Sequence, residues 1–457
     1  MDSPIPDRVD ASALTAPAWF FGLVVLQLSL ALMLGGGRGG LGDVLVQLLA
    51  VALMLAQIAS RRSATSIPPA LLIAIALVLA LPLLQLLPLP ASSWLSGGLR
   101  HQLALDMHAA ATTVDAHVSL DPLATERALW SLLPALAMCA AVSQLRQAQR
   151  RLLLIVLLAL AVLSILLGMA QLADGQHSLL RFHSPTSTLD AVGFFANRNH
   201  LAALLVACLS FAIGAAVWAH QRRTQESASE LLGIIGLIGV ALMLVLGIAL
   251  SRSRAGAMLG MLAVLLCLPV LWRVRERRRV GGVALLLLLT AAVFTAQFGL
   301  SGMLQRLQSD VLHDGRWEYA RVIDVAARES APLGSGIGTF NQVYPQFEAE
   351  SGAGPDYAVV NHAHNDALEL WLEARWPFAV VCAALLLLLA WVGMRLWRTT
   401  APSLTESLLT ARLAWMSLLL LVLHSVVDYP LRTTAMMTVF AMLFALSIPP
   451  AVRADSR

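Results

Sequence analysis

Apolar runs of about 20 residues recur from one end of this chain to the other, and this recurrence constrains the fold more than any other feature. Each run is long enough to cross a hydrocarbon core of roughly 30 Å as an α-helix. Lipid offers no partner for a backbone N–H or C=O, so helices are the natural spanning elements of such a chain. Twelve spans are predicted, near 17–35, 41–59, 67–88, 125–145, 152–173, 200–219, 231–250, 255–272, 281–299, 377–397, 406–425 and 433–449. The expected fold is an all-α polytopic membrane protein of about 12 transmembrane helices, one integral membrane domain over residues 1–457. Only 13% of the residues are charged, against about a quarter in soluble domains. The N-terminal stretch "MDSPIPDRVDASALTAP" carries acids and prolines where a cleavable signal would carry a basic region, so none is expected.

The loops between the runs alternate in character. One set, "SRRSATS", "RQAQRR", "HQRRTQES", "RVRERRR" and "MRLWRTT", holds fourteen arginines. The opposite set holds seven: Arg38, Arg100, Arg181, Arg198, Arg252, Arg254 and Arg432. By the positive-inside rule the first set and both termini are cytoplasmic, and the second set faces the periplasm of a bacterium. Residues 300–376 then form one large periplasmic loop before span ten. Within it "DGRWEYARVIDVAARES" predicts an amphipathic helix capped by Asp314, with Tyr319, Ala320, Val322, Ile323, Ala326 and Ala327 on its apolar arc. Arg316 falls in the middle of that arc, and "PLGSGIGTF" ends the helix in a Gly-rich turn. The basic residues occupy short loops between spans, which does not indicate a nucleic-acid partner. The four cysteines lie far apart inside apolar runs, so neither a disulfide framework nor a zinc motif is indicated.

Polar residues gather on the outer side in "GFFANRNHLA" (193–202), "SRSRAGA" (251–257), at Arg316, in "NHAHNDALELWLEARWP" (361–377) and in "HSVVDYPLR" (424–432). Arg252 and Arg254 sit in a tight turn at the membrane surface. Snorkelling is the plain reading, yet this is the side that topology keeps poor in arginine. Arg316 reads either as a buried ion-pair partner or as part of the same group. Several fixed arginines at one outer-leaflet site suit a phosphate or pyrophosphate, whose oxygens a guanidinium binds bidentately. His364 is either a boundary residue or helix cap, or a general base or substrate-orienting group, since imidazole titrates near neutral pH. If a helix begins near Ala363, His364 shares a face with Leu368, Trp371 and Arg375, and Asp366 and Glu373 become caps or rim charges. Asn197 and Asn199 either cap span six or bind a head group or sugar, and Asn365 joins them as a candidate substrate contact. "HAHND" partly matches the H-x-H-x-D core of binuclear zinc hydrolases. Ala367 stands where a further histidine is usual, and no metal is expected.

Together these stretches resemble the O-antigen ligase and O-antigen polymerase superfamily of bacterial inner-membrane glycosyltransferases. The matching pieces are "SLDPLATERALW", "GFFANRNHLA", "SRSRAG", "GRWEYA…PLGSGIGTF" and "HNDALELWLE", in that family's order. The resemblance covers most of residues 119–445. It implies transfer of a glycan from undecaprenyl diphosphate to an acceptor hydroxyl at the periplasmic face, without metal or other cofactor. The implied partners are the lipid-linked donor, lipid A–core or a second lipid-linked glycan as acceptor, and membrane lipid. Carried over, the family's motif histidine falls on His364 and its two key arginines on Arg254 and Arg316; Arg252 is an additional arginine. Single displacement with inversion is the simplest scheme, and a double displacement would need a nucleophile such as Asp366 or Glu369. A ligase is the first reading and a polymerase the second, with protein glycosylation a related branch. A transporter of lipid-linked sugars, the rival from another class, would place ionisable groups near the membrane midplane. Here the spans are nearly clean, with Arg412 and Asp43 the exceptions.

Overall fold

The computed structural model describes residues 17–37, 39–59, 67–95, 98–112, 116–183, 188–222, 228–271, 315–348, 360–399 and 405–449. Among these the regular structure is helical: α1 (Ala18–Leu34), α2 (Leu41–Ala59), α3 (Pro69–Gln85), α4 (Gly98–Ala109), α5 (Pro122–Ser131), α6 (Leu133–Ser143), α7 (Gln147–Ala173), α8 (Arg198–Arg222), α9 (Ala228–Leu250), α10 (Arg254–Leu271), α11 (Gly315–Glu329), α12 (Phe340–Glu348), α13 (Asp366–Arg398), α14 (Glu406–Ser425) and α15 (Thr434–Leu446). Helices α2, α7, α8, α9, α13 and α14 are long and apolar enough to cross a membrane, and α1, α3, α10 and α15 are shorter apolar helices. The predicted span 281–299 lies outside the described residues, as do 300–314 and 349–359 of the large loop.

The predicted helix over 125–145 is two helices, α5 and α6. Pro134 opens α6. It has no N–H to give, and its ring would collide with the Trp130 carbonyl of a continuous helix. Helix α13 breaks as well, at Arg375, whose φ of 40° and ψ of −123° lie outside helical space just before Pro377. Its first segment is packed against protein. Its second presents Val380, Leu386, Leu387 and Trp391 outward, as a lipid-facing surface would.

Helix α8 is the centre of the bundle, buried along most of its length and packed by α9, α10 and α14. Lipid tails are as apolar as the side chains between helices, so close van der Waals fit has to hold such a bundle. Glycines permit that fit. A Cβ on Gly214 would meet Leu413 at 2.2 Å, and one on Gly247 would meet Ile165 and Leu205 at 2.6 and 2.7 Å. At one end of the bundle Arg150 donates to the carbonyls of Leu145 and Ile448. Arg412 donates to those of Leu396 and Thr399, where α13 ends. Arg412 therefore satisfies terminal carbonyls of a neighbouring helix.

A smaller apolar core caps the other end. Helix α11 forms as the sequence predicts, with Val322, Ile323, Ala326 and Ala327 buried against Phe340, Val343, Tyr344, Ala363 and Leu372. The turn after α11 meets the break in α13. The break frees the carbonyls of Leu372 and Glu373, which accept the N–H groups of Ser335 (3.1 Å) and Gly336 (2.8 Å). Backbone this close leaves no room for a side chain: a Cβ on Gly334, at φ +82°, would lie 2.4 Å from the Glu373 oxygen. Arg100 locks the same turn, donating to the carbonyls of Val118, Ser330 and Gly334. Burial lowers its guanidinium below the ordinary arginine value.

Candidate functional site

The connection between α14 and α15 turns into the bundle, so that Asp428 is fully buried. Two separate stretches, one holding His364 and the other Asn197 and His200, converge on its carboxylate. The Nδ1 of His364 is 3.3 Å from Oδ1. The Asn197 amide donates to Oδ2 at 3.4 Å, and the Nε2 of His200 stands 3.8 Å from the same oxygen. Tyr429 is stacked on His362 (4.4 Å between centroids) and meets His364 and His200 edge-on at 5.0 and 4.9 Å. The Tyr319 ring of α11 lies near-parallel to His364 at 6.4 Å. The His364 side chain keeps 31% exposure, so one edge of this buried assembly is open.

Burial by itself raises the Asp428 carboxyl, but the His364 hydrogen bond and the neighbouring charges of His200, His424 and His364 outweigh it and hold the group below the ordinary carboxylate value. A carboxylate depressed in the fold contributes stability that is fully present above its unfolded value and is lost as pH falls through its folded one. Thermal unfolding of wild type and Asp428→Asn should therefore differ most near neutral pH. The gap should narrow below about pH 4, where carboxylates protonate in the unfolded chain. A gap that stays constant down to strongly acid pH would show that the charge contributes nothing.

Beside this assembly, Arg432 lies against three carboxylates of the first segment of α13. Asp366, Glu369 and Glu373 follow the i, i+3, i+7 spacing that puts them on one helix face. Arg432 reaches them at 3.6, 3.4 and 2.9 Å. Burial by itself lowers its guanidinium, and the charges of Glu369, Glu373 and Asp366 more than reverse this, so it stays charged. The remaining carboxylate oxygens are used too. Glu369 accepts from the Ala363 N–H and pairs with His362 at 2.9 Å. Glu373 accepts from the Gly338 N–H, and Asp366 from that of Leu431. The expectation that Asp366 and Glu373 are rim charges is corrected. The helix begins at Asp366 rather than near Ala363, so His364 does not mark its inward face, and the face that carries the three acids is the buried one. His364 precedes the helix with φ of +51°, an uncommon conformation for a residue with a Cβ.

The other predicted residues take distinct places. Asn197, besides its amide on Asp428, accepts the N–H of Asn199 at 2.8 Å, which caps α8; Asn199 itself is half-buried in the first turn. Asn365 caps α13 by accepting from Ala367 and Leu368, and its amide donates to the Val426 carbonyl at 2.7 Å. Arg252, at φ +51°, lies 4.0 Å from the buried Asp190, which Arg198 also engages at 2.6 Å. Arg254 opens α10 with an exposed side chain. Arg316 lies in the first turn of α11, and its side chain is outside the described part of the structure. The residues of "HAHND" face separate partners: His362 meets Glu369, His364 meets Asp428 and Asp366 meets Arg432.

Residues 238–374 match a protein-family model described as O-antigen ligase. This match supports membership of the O-antigen ligase superfamily. Among curated proteins none matches the sequence. The O-antigen ligase segment contains Arg252, Arg254, Arg316 and His364 and ends one residue before the break at Arg375. With its apolar helices it marks the chain as a multi-pass membrane protein. Asn197, His200, Asp428 and Arg432, which complete the assembly around His364, lie outside the matched segment. Sequence reasoning did not assign the last three. Their signal was a histidine in "ANRNH" and a charged pair, Asp428 and Arg432, in a short connector between two apolar runs.

Proposed function

We propose that this protein transfers a glycan from undecaprenyl diphosphate to an acceptor hydroxyl at the periplasmic face of the bacterial inner membrane, with lipid A–core as the acceptor. The observation that carries this reading is the His364–Asp428 pair, a partly open imidazole backed by a buried carboxylate. The carboxylate favours the Nδ1–H tautomer, which leaves Nε2 to take a proton. In the reaction Nε2 accepts the acceptor's hydroxyl proton, and the oxygen attacks the anomeric carbon. The bond from that carbon to the diphosphate oxygen breaks, and undecaprenyl diphosphate leaves with the electron pair. Arg254 and Arg316 take the developing negative charge, each contributing about 1–4 kcal/mol at roughly 4 Å in a half-wet site. Asp366 and Glu369 are held by Arg432, which supports a single inverting displacement over a covalent intermediate on either acid.

The full topology belongs to the same proposal: twelve spans, with residues 300–376 as the large periplasmic loop. Arg150 and Arg412 bind helix ends away from the His364 assembly, whereas Arg198 and Arg252 engage Asp190 by the start of α8, where Asn197 meets Asp428, and this supports an outer site.

Purified protein in detergent, given lipid-linked glycan and lipid A–core, should release undecaprenyl diphosphate as the acceptor gains the glycan. Turnover should survive dialysis against a strong chelator. A flippase would release no free undecaprenyl diphosphate, and activity lost with bound metal would overturn the metal-free mechanism. Deletion of the gene separates the acceptors: lipid A–core without O-chains beside accumulated lipid-linked polymer indicates a ligase, and a single added repeat indicates a polymerase.

A further inference from the structure

We propose that His200 is a positioning residue, which steadies the Asp428 carboxylate from inside the bundle so that its other oxygen stays on His364. This rests on the transfer reading above and extends it to a residue with no contact to substrate. His200 is the third residue of α8 and is 2% exposed. Neither of its ring nitrogens has a hydrogen-bond partner among the described residues. A polar ring buried in that condition is destabilising, a cost that phenylalanine would avoid in the same space. The ring plane is set by edge contacts to Phe195 (6.4 Å) and Tyr429 (4.9 Å), which a phenyl group could make equally well. What imidazole adds is a ring nitrogen that can carry an N–H to a carboxylate: Nε2 stands 3.8 Å from Asp428 Oδ2, within ion-pair range and a small movement short of a hydrogen bond.

That oxygen has need of a second donor. Its described hydrogen bond, from Asn197, is long at 3.4 Å, while Oδ1 serves His364. With the Nε2–H of His200 closing on Oδ2, the carboxylate is gripped from both sides. Its free rotation stops, and the hydrogen bond that selects the Nδ1–H tautomer of His364 is maintained. This is the way an outer partner orients a working imidazole elsewhere. The ionisable groups around His200 come from three elements: Asp428 in the α14–α15 connection, His424 at the end of α14, and His362 and His364 before α13.

The test uses the full-length protein in detergent with His200→Phe, which keeps the ring shape, and His200→Gln, which restores an N–H. His200→Phe should lower kcat about tenfold or more, with donor and acceptor KM changed less than about twofold. The acid limb of its pH–kcat profile should move to higher pH, because more of the carboxylate's charge then falls on the His364 imidazolium. His200→Gln should recover most of the rate and return the limb. A purely structural role would lower the yield of folded protein without this split. The second readout needs no turnover: the ring resonances of His364 in labelled protein should titrate differently in His200→Phe, and as wild type in His177→Gln, an exposed control. If His200→Phe does not accumulate, His200→Asn, too short to reach Asp428, takes its place with the same expected loss. Wild-type kcat together with unchanged His364 titration would overturn the proposal. If the wild-type protein transfers no glycan, the transfer reading fails on its own, and the titration still decides whether His200 acts on the pair.

Discussion

Replacing His364 with alanine is expected to abolish glycan transfer, lowering the rate by at least about 10²-fold, the usual contribution of a general base. The protein should still insert, fold and bind lipid donor, because the His364 side chain is partly open and the helix behind it is capped by Asn365. Asp428→Asn should lower the rate in the same step. Once His364 is absent, the second substitution should cost little more, since two groups acting as one unit are not additive. Arg254→Ala and Arg316→Ala should weaken donor handling, and lysine should restore either poorly because it loses the bidentate fork. Arg321→Ala, on the exposed arc of α11, serves as the control. Transfer measured with each purified variant decides the matter, and full activity in His364→Ala would defeat the assignment.

The second large effect concerns stability. Arg432→Met should destabilise the folded protein by about 3–5 kcal/mol, because it leaves three buried carboxylates facing one another without a counter-charge. Folded yield and the thermal midpoint in detergent should both fall. Adding Glu373→Gln to Arg432→Met should recover part of the loss, since it removes the acid closest to the missing guanidinium. Arg328→Ala, which removes an exposed pair with Asp324, should change stability by less than about 1 kcal/mol. A midpoint for Arg432→Met equal to that of Arg328→Ala would mean that the acids are neutral in the fold and need no counter-charge.

Much of the helical framework was legible because hydropathy and helical phase are local properties. The apolar runs at 41–59 and 406–425 emerge as α2 and α14 with the same bounds. The arc of α11 could be read residue by residue, since burial follows the 3.6-residue period. The readings that failed also have local causes. Pro134 divides one expected helix into two. The helix after "NHAH" starts three residues later than supposed, so His364 lies outside it and does not define its inward face, and Asp366 and Glu373 lie in the interior rather than at the rim.

By itself the sequence determined that this chain is built of apolar helices, that arginine is unevenly shared between its two sets of loops, and that His364 stands in a polar stretch at the mouth of a span. Each follows from the chemistry of a few adjacent residues and from what a bilayer tolerates. The tertiary structure alone decided which polar groups meet. His364 finds Asp428 across 64 positions, Asn197 finds it across 231, and Arg432 finds the acids of α13. No periodicity encodes these contacts, because they depend on how α8, α13, α14 and α15 pack. A buried carboxylate is tolerated only where that packing brings it donors or a counter-charge.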